Sequence, residues 1–239
     1  MARRPRLDLP GYLQHVIIRG NNRQVIFVAE DDYLFYLELL SEAASKYRCS
    51  IHAWVLMTNH LHLLMTPTEV GAIGKVIQSV GRRYVQYFNY CYKRTGTLWE
   101  GRYKSTIVDT ERYALTCYRY IEMNPISAGM HGYPEDYRWS SYRYNALGLD
   151  DNLITPHPAY LSLADDAPAR RKRYRELFTE AVDQKLTDQI RFSTNKGWVL
   201  GNAKFRDEVG ELLNTRVEPL KRGGDRRSDN FKEKTKELS

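Results

Sequence analysis

Ile51-His52-Ala53-Trp54-Val55-Leu56-Met57-Thr58-Asn59-His60-Leu61-His62-Leu63-Leu64-Met65 reads as two short apolar strands joined by a tight turn at Thr58-Asn59. Strand side chains alternate faces, so His60 and His62 point the same way, roughly 6–7 Å apart along the strand. Two imidazoles at that spacing can share one metal ion. The plainer alternative is a pair of hydrogen-bonded histidines on a half-buried strand. Against it stands a second segment, Tyr118-Arg119-Tyr120-Ile121-Glu122-Met123-Asn124-Pro125, which offers a nucleophile and a third ligand.

The flanking sequence supplies the rest of a sheet. Tyr12 to Ile18 reads as a first strand, closed by Arg19-Gly20-Asn21-Asn22-Arg23. Asp31 to Tyr47 is a helix whose Asp31-Asp32 opening complements the helix dipole, with Leu34, Leu37, Leu40 and Ala44 spaced for one buried face. Gly74 to Arg94 is a long helix carrying Ile77, Val80, Tyr84, Phe88 and Cys91 on one stripe. Gly101 to Asp109 is a fourth strand. Thr110 is a candidate N-cap for a helix running to about Asn124, which Pro125 stops. Strand, helix, strand, strand, helix, strand matches the split βαβ arrangement, an α+β fold with an antiparallel sheet and two helices on one face. Another α+β sandwich is the runner-up.

The expected domain organisation is a core over residues 1–150 and a helical, basic region over 151–239. Thr155-Pro156-His157-Pro158 marks the change of character. Beyond it come a charged helix with Arg170-Arg171-Lys172-Arg173 and a Gly/Arg-rich end, Lys221 to Ser228, expected to be disordered without a partner.

Tyr120 and Asn124 are four apart and share one helix face. If that face packs near the histidine strand, Asn124 completes a His, His, Asn ligand set. Its neutral ligands leave a bound cation with its full charge and with open positions for a phosphate oxygen and water. Such an ion is a Lewis acid for a phosphodiester. Tyr120 would attack phosphorus and leave a covalent phosphotyrosine. Tyr113 and Tyr118 on the same helix are rivals for that role. A phenol ordinarily has a pKa near 10, and no dedicated base is evident. Glu122, at i+2, faces a different side and reads as a surface residue or a support behind the site.

Composition narrows the partners. Lys and Arg outnumber Asp and Glu by 36 to 29, giving a charge of +7 and a pI near 9.2. This favours a polyanion. Three scattered cysteines, Cys49, Cys91 and Cys117, without a CxxC, indicate neither a zinc knuckle nor a disulfide frame. They fit a reducing, cytoplasmic setting. No run is long enough to span a membrane, and the basic start Met1 to Arg6 lacks the apolar stretch of a signal peptide.

Several segments together resemble the single-tyrosine HUH transposases, specifically the REP-associated tyrosine transposase branch. These are His-Val-Ile-Ile-Arg-Gly-Asn-Asn-Arg (15–23), Trp54 to His62, Leu98-Trp99-Glu100-Gly101-Arg102-Tyr103, Tyr120-Ile121-Glu122-Met123-Asn124-Pro125 and Trp139-Ser140-Ser141-Tyr142. The resemblance implies a ferredoxin-like core, His60, His62 and Asn124 as metal ligands, and Tyr120 as nucleophile. It implies Mg2+ or Mn2+ as cofactor and cleavage and rejoining of single-stranded DNA beside a hairpin. A 5′ phosphate would stay on tyrosine while a 3′ hydroxyl is released. The partner expected is therefore single-stranded DNA with palindromic, REP-like elements, handled by a monomer or homodimer.

Candidate DNA contacts follow from residue type. The loop residues Arg19, Asn21, Asn22 and Arg23 combine cations with amides able to pair with exposed base edges. Arg82 and Arg83 on the long helix, and Arg102 and Lys104 beside the fourth strand, could meet phosphates. The Arg170 to Arg175 cluster could clamp a hairpin from outside the core. The alternative function is a domesticated module that binds hairpin DNA or RNA without strand transfer. A replication or conjugation nickase is a third reading, and the short chain weighs against it.

Overall fold

The computed structural model describes residues 6–179 and 183–219. The basic start before Arg6 and the tail expected at residues 221–228 lie outside the described residues. The core elements are β1 (Gln14–Arg19), α1 (Glu30–Lys46), β2 (Cys49–Met57), β3 (His60–Pro67), α2 (Ala72–Cys91), β4 (Lys104–Ile107) and α3 (Thr110–Glu122). After them come α4 (Asn124–Ser127), α5 (Tyr142–Leu147), α6 (Pro158–Leu161), α7 (Ala167–Glu176), α8 (Gln184–Lys196) and α9 (Ala203–Leu212). The strands form one antiparallel sheet in the order β2-β3-β1-β4, the ferredoxin-like arrangement. Among the described residues no helix is long and apolar enough to cross a membrane.

Alternation along the strands divides the molecule into two layers. Val16, Ile18, Leu61, Leu63, Met65, Trp54 and Leu56 face α1 and α2 in one core. Leu13, Ala53, Val55, Met57 and Leu64 face α3 and the later helices in another. The two helices of the split βαβ unit thus share one face, as expected, and α3 closes the opposite one. The β2–β3 hairpin turns at Thr58-Asn59, with Met57 paired to His60.

Three local expectations are corrected. Leu34 is 49% exposed, because the inward face of α1 is taken by Tyr33, Tyr36, Leu40 and Ala43, with both tyrosine rings against Phe27. Cys91, the last residue of α2, is exposed. Helix α3 ends at Glu122, two residues short of Asn124, and Pro125 then opens a separate short helix, occupying the first turn of α4, where its missing N–H would have had no helical partner.

Both outer edges of the sheet are covered by chain that follows α3. On the β2 side, Leu56 N–H donates to Trp139 O and Ser141 N–H to Trp54 O, both at 2.9 Å. On the β4 side, Leu200 N–H donates to Ile107 O at 2.9 Å and Asp109 N–H to Leu200 O at 2.8 Å. Unpaired strand edges invite pairing with other chains, so this cover removes a liability.

Glu122 is the largest departure from the sequence reading. It is wholly buried, not at the surface. Its carboxylate accepts from Ser141 Oγ at 2.6 Å, Asn145 Nδ2 at 2.8 Å and Tyr174 Oη at 2.7 Å. One side chain thereby ties α3 to α5 and α7. Burial pushes its pKa from an ordinary 4.5 up to about 7, against the pull of these three donors. The folded protein then holds a proton that the unfolded chain has released. Stability is highest below the unfolded value and falls as pH rises through about 4.5 to 7. Glu122→Gln keeps the shape and removes the titration. Thermal melting across this window should show a flatter pH profile for the variant, by on the order of 2–3 kcal/mol. Identical profiles would assign the pH dependence to another group.

Candidate active site

The register of β1 against β3 sets Ile17 opposite His62 and Arg19 opposite His60. His15, two residues before Ile17, lies on the same face, as do Arg19, His60 and His62. Helix α3 crosses this face and delivers Tyr120. The Tyr120 ring lies 5.6 Å from the rings of both His15 and His62, edge to face. Asn124, one turn on, donates from Nδ2 to Tyr120 O at 2.7 Å, which leaves Oδ1 able to accept. A cavity of about 610 Å3 opens here, lined by His60, His62, Tyr120 and Asn124 together. Arg19 and Arg23 line it as well.

Tyr113 and Tyr118 are placed elsewhere. Tyr118 is fully buried among Tyr160 and Tyr174, and the Tyr113 hydroxyl donates to Gln189 Oε1 at 3.3 Å. Neither lines the cavity.

The loop carrying Arg19 to Arg23 is held down by its backbone. Gly20 N–H donates to Asn59 O at 2.9 Å. A Cβ on Gly20 would collide with the Gln24 carbonyl, so only glycine permits this close approach. Asn22 and Arg23 adopt left-handed φ values of 51° and 58°. Asn59 Nδ2 donates to Arg23 O at 3.1 Å, which aims Asn59 Oδ1 at His60 Nδ1, 2.7 Å away. His60 therefore carries its proton on Nδ1 and presents the Nε2 lone pair.

Both cavity histidines are neutral. Burial brings His60 down to about 4, with the Arg19 charge adding to the effect. His62 is lowered well below its ordinary value by burial, then by His15, His60, Arg19 and Arg191. Neutral imidazole is the metal-binding form. The His60 and His62 rings are 5.1 Å apart. Among the described residues no group of three or more His, Cys, Asp or Glu could hold a metal. A cation here would draw on two imidazoles and the Asn124 amide oxygen, and these residues fit that task.

Three site residues escaped the sequence reading. His15 Nε2 lies 2.8 Å from His62 Nδ1. Arg191 and Asn195, on α8, line the cavity. Burial raises the Tyr120 pKa, while a hydrogen bond from Arg191 and its charge lower it. No local signal marks α8: its sequence is that of an ordinary polar helix, and only the tertiary contact with β1 and β4 brings it to the site. Truncation after Asp150 would therefore strip residues from the cavity.

The other expected DNA contacts are dispersed. Arg82 and Arg102 line a second groove, of about 710 Å3, with Trp99, Tyr103, Gln78 and Gln86. Lys104 Nζ donates to Asn195 Oδ1 at 2.9 Å, and Arg83 pairs with Glu42 on α1. In the α7 cluster, Arg170 donates to Ala164 O at 2.9 Å and Arg175 to Ala146 O at 2.6 Å, with Arg173 bonded to Leu163 O. Arg170 and Arg173 thus hold the loop before α7 and Arg175 holds α5, a task the hairpin-clamp expectation did not include.

Residues 10–124 match the family model of IS200-like transposases. This matched segment is similar to the IS200-like transposases. It contains β1 to α3, both cavity histidines, Tyr120 and Asn124, and it ends before α8. No curated protein matches the chain. Among solved structures, a REP-associated tyrosine transposase bound to a REP hairpin is similar at 19% identity and a TM-score of 0.49, over 66% of this chain and 96% of that one. A transposase structure from Deinococcus radiodurans R1 is similar at 19% identity and a TM-score of 0.35, over 55% of this chain and 97% of that one.

The donor geometry yields a prediction that needs no substrate. Mn2+ titration followed by electron paramagnetic resonance should show one site, lost in His62→Ala. Asn59→Ala, which frees the His60 ring, should weaken it by roughly 10–100-fold. Equal affinity in wild type and His62→Ala would place the cation elsewhere.

Proposed function

We propose that this chain is an IS200-like transposase that cleaves and rejoins single-stranded DNA beside hairpin, REP-like palindromes through a 5′-phosphotyrosine on Tyr120. The observation that carries the reading is the shared cavity: the phenol, two neutral imidazoles and an amide oxygen converge on it from β3, α3 and α4. His60, His62 and Asn124 would hold a divalent cation, Mg2+ or Mn2+. Such a cation supplies Lewis-acid stabilisation of a phosphate oxygen.

The remaining steps belong to the chain. Tyr120 gives its phenolic proton to water as Oη forms the bond to phosphorus, the P–O3′ bond breaks, and the departing 3′ oxygen takes a proton back from water to leave as a hydroxyl. Reversal by a 3′ hydroxyl rejoins the strand and restores the tyrosine. Arg191 offsets the cost of forming a phenolate in a buried setting, because its guanidinium already favours the ionised phenol. Arg19 and Arg23 at the cavity rim would orient the phosphate. Asn21 and Asn22, on the same loop, would read unpaired bases. Arg82, Arg102 and the aromatic rings of the second groove would guide the strand, with Lys104 between the two openings. Arg83, turned to Glu42, is left out of this path.

The catalytic core lies within residues 1–150 in this reading, and the described residues after 150 supply helices that complete it through α8. A cytoplasmic setting suits such DNA chemistry.

One assay tests the proposal. An end-labelled single strand carrying a hairpin is incubated with the full chain and Mg2+, and covalent adducts are resolved on denaturing gels. Wild type and Tyr118→Phe should form the adduct, and Tyr120→Phe should form none while still binding the hairpin. Arg191→Ala should slow adduct formation by roughly 100-fold, the scale for losing one donor to a developing negative charge. A perfect duplex of the same sequence should resist, since melting costs about 1–2 kcal/mol per base step. An adduct that persists in Tyr120→Phe would overturn the assignment.

A further inference from the structure

His62 can face a cation only through Nε2, because its Nδ1 is engaged by His15 at 2.8 Å. Nε2 is a ligand only if it carries no proton. That condition is decided away from the cavity. His15 is fully buried, and its second nitrogen, Nδ1, lies 2.9 Å from Thr194 Oγ1 on α8. Its ring is wholly buried between the Thr194 hydroxyl and the His62 ring, where an unpaired charge would be costly, so it is neutral and has one proton to place.

The chain Thr194, His15, His62 has two self-consistent polarities. In one, Thr194 donates to His15 Nδ1, His15 Nε2–H donates to His62 Nδ1, and His62 is left with a proton on Nε2. In the other, every proton runs the opposite way and His62 Nε2 carries a lone pair. Thr194 Oγ1 lies 2.8 Å from Ile190 O, one helical turn back, and donates its single proton there. Its oxygen can then only accept from His15. His15 Nε2 must accept from His62 Nδ1–H, and His62 Nε2 is left open.

We infer that Thr194 is a positioning residue for the metal site: through His15 it holds His62 in the tautomer that can ligate. This goes one step beyond the ligand reading proposed above and rests on it. It also places a determinant of the site in α8, outside the matched segment 10–124. Asn59 performs the same service for His60 from the hairpin turn. The two ligands are thus set by two separate relays, one local and one from a distant helix.

The polarity is readable in metal-free protein. Long-range 1H–15N spectra of the chelator-treated full chain report which ring nitrogen of each histidine is protonated. Wild type and Thr194→Ser should both show His15 and His62 protonated on Nδ1. Thr194→Val is nearly isosteric but cannot accept, so the buried His15 Nδ1–H would lose its partner. Both rings should then shift to the Nε2–H form, and Mn2+ affinity should fall by roughly 10–100-fold. A wild-type His62 protonated on Nε2 would overturn the inference, whatever the variants fold into. Unchanged tautomers in a folded Thr194→Val would overturn it too. Absence of Mn2+ binding by wild type, with the tautomers as expected, would instead remove the ligand reading of His62.

Discussion

The antiparallel pairing of β1 with β3 is the constraint on which the site depends. It sets Ile17 opposite His62 and Arg19 opposite His60. Side-chain direction along a strand has a period of two, so a slip of one residue would turn both histidines into the α1–α2 core. That slip is opposed on both faces. Val16, Ile18, Leu61 and Leu63 would leave one apolar core, and polar imidazoles would enter it. Burial of the hydrophobic alternation therefore does more than hold the sheet together. It also aims the polar residues that share its strands.

Much of the site was legible because its spacing is local. His60 and His62 are two apart on a strand, and Tyr120 and Asn124 are four apart on helical chain, so simple periodicity places each pair on one face. The hairpin was legible from alternation and from its two-residue turn. What periodicity does not give is the depth of a face. Glu122 does point away from Tyr120, as i+2 geometry requires, yet that other side is packed against Ser141, Asn145 and Tyr174. Leu34 fails for a related reason: aromatic residues occupy the inward stripe of α1, which apolar spacing alone assigned to leucines.

His15, Arg191 and Thr194 were illegible for a different reason. His15 reads as one polar residue in a short strand, and α8 reads as a solvated helix. Their meeting is a tertiary event between positions 179 residues apart. The same holds for the cover on the sheet edges, where Trp139 to Ser141 and Leu200 contribute two backbone bonds each instead of a strand-like run. Such segments lack any periodic pattern, since they match the sheet at only a few positions.

The long separation between His15 and Thr194 has a consequence for the newly made protein. Synthesis proceeds at roughly 5–20 residues per second, so the two partners emerge roughly 10–40 s apart. During that interval the nascent chain already holds the tyrosine helix and the histidine hairpin, but the imidazole beneath them has no fixed proton. The histidine pair is finished only when α8 arrives. A domain that folds as it is translated would therefore remain incomplete at its centre until residue 194 has been made.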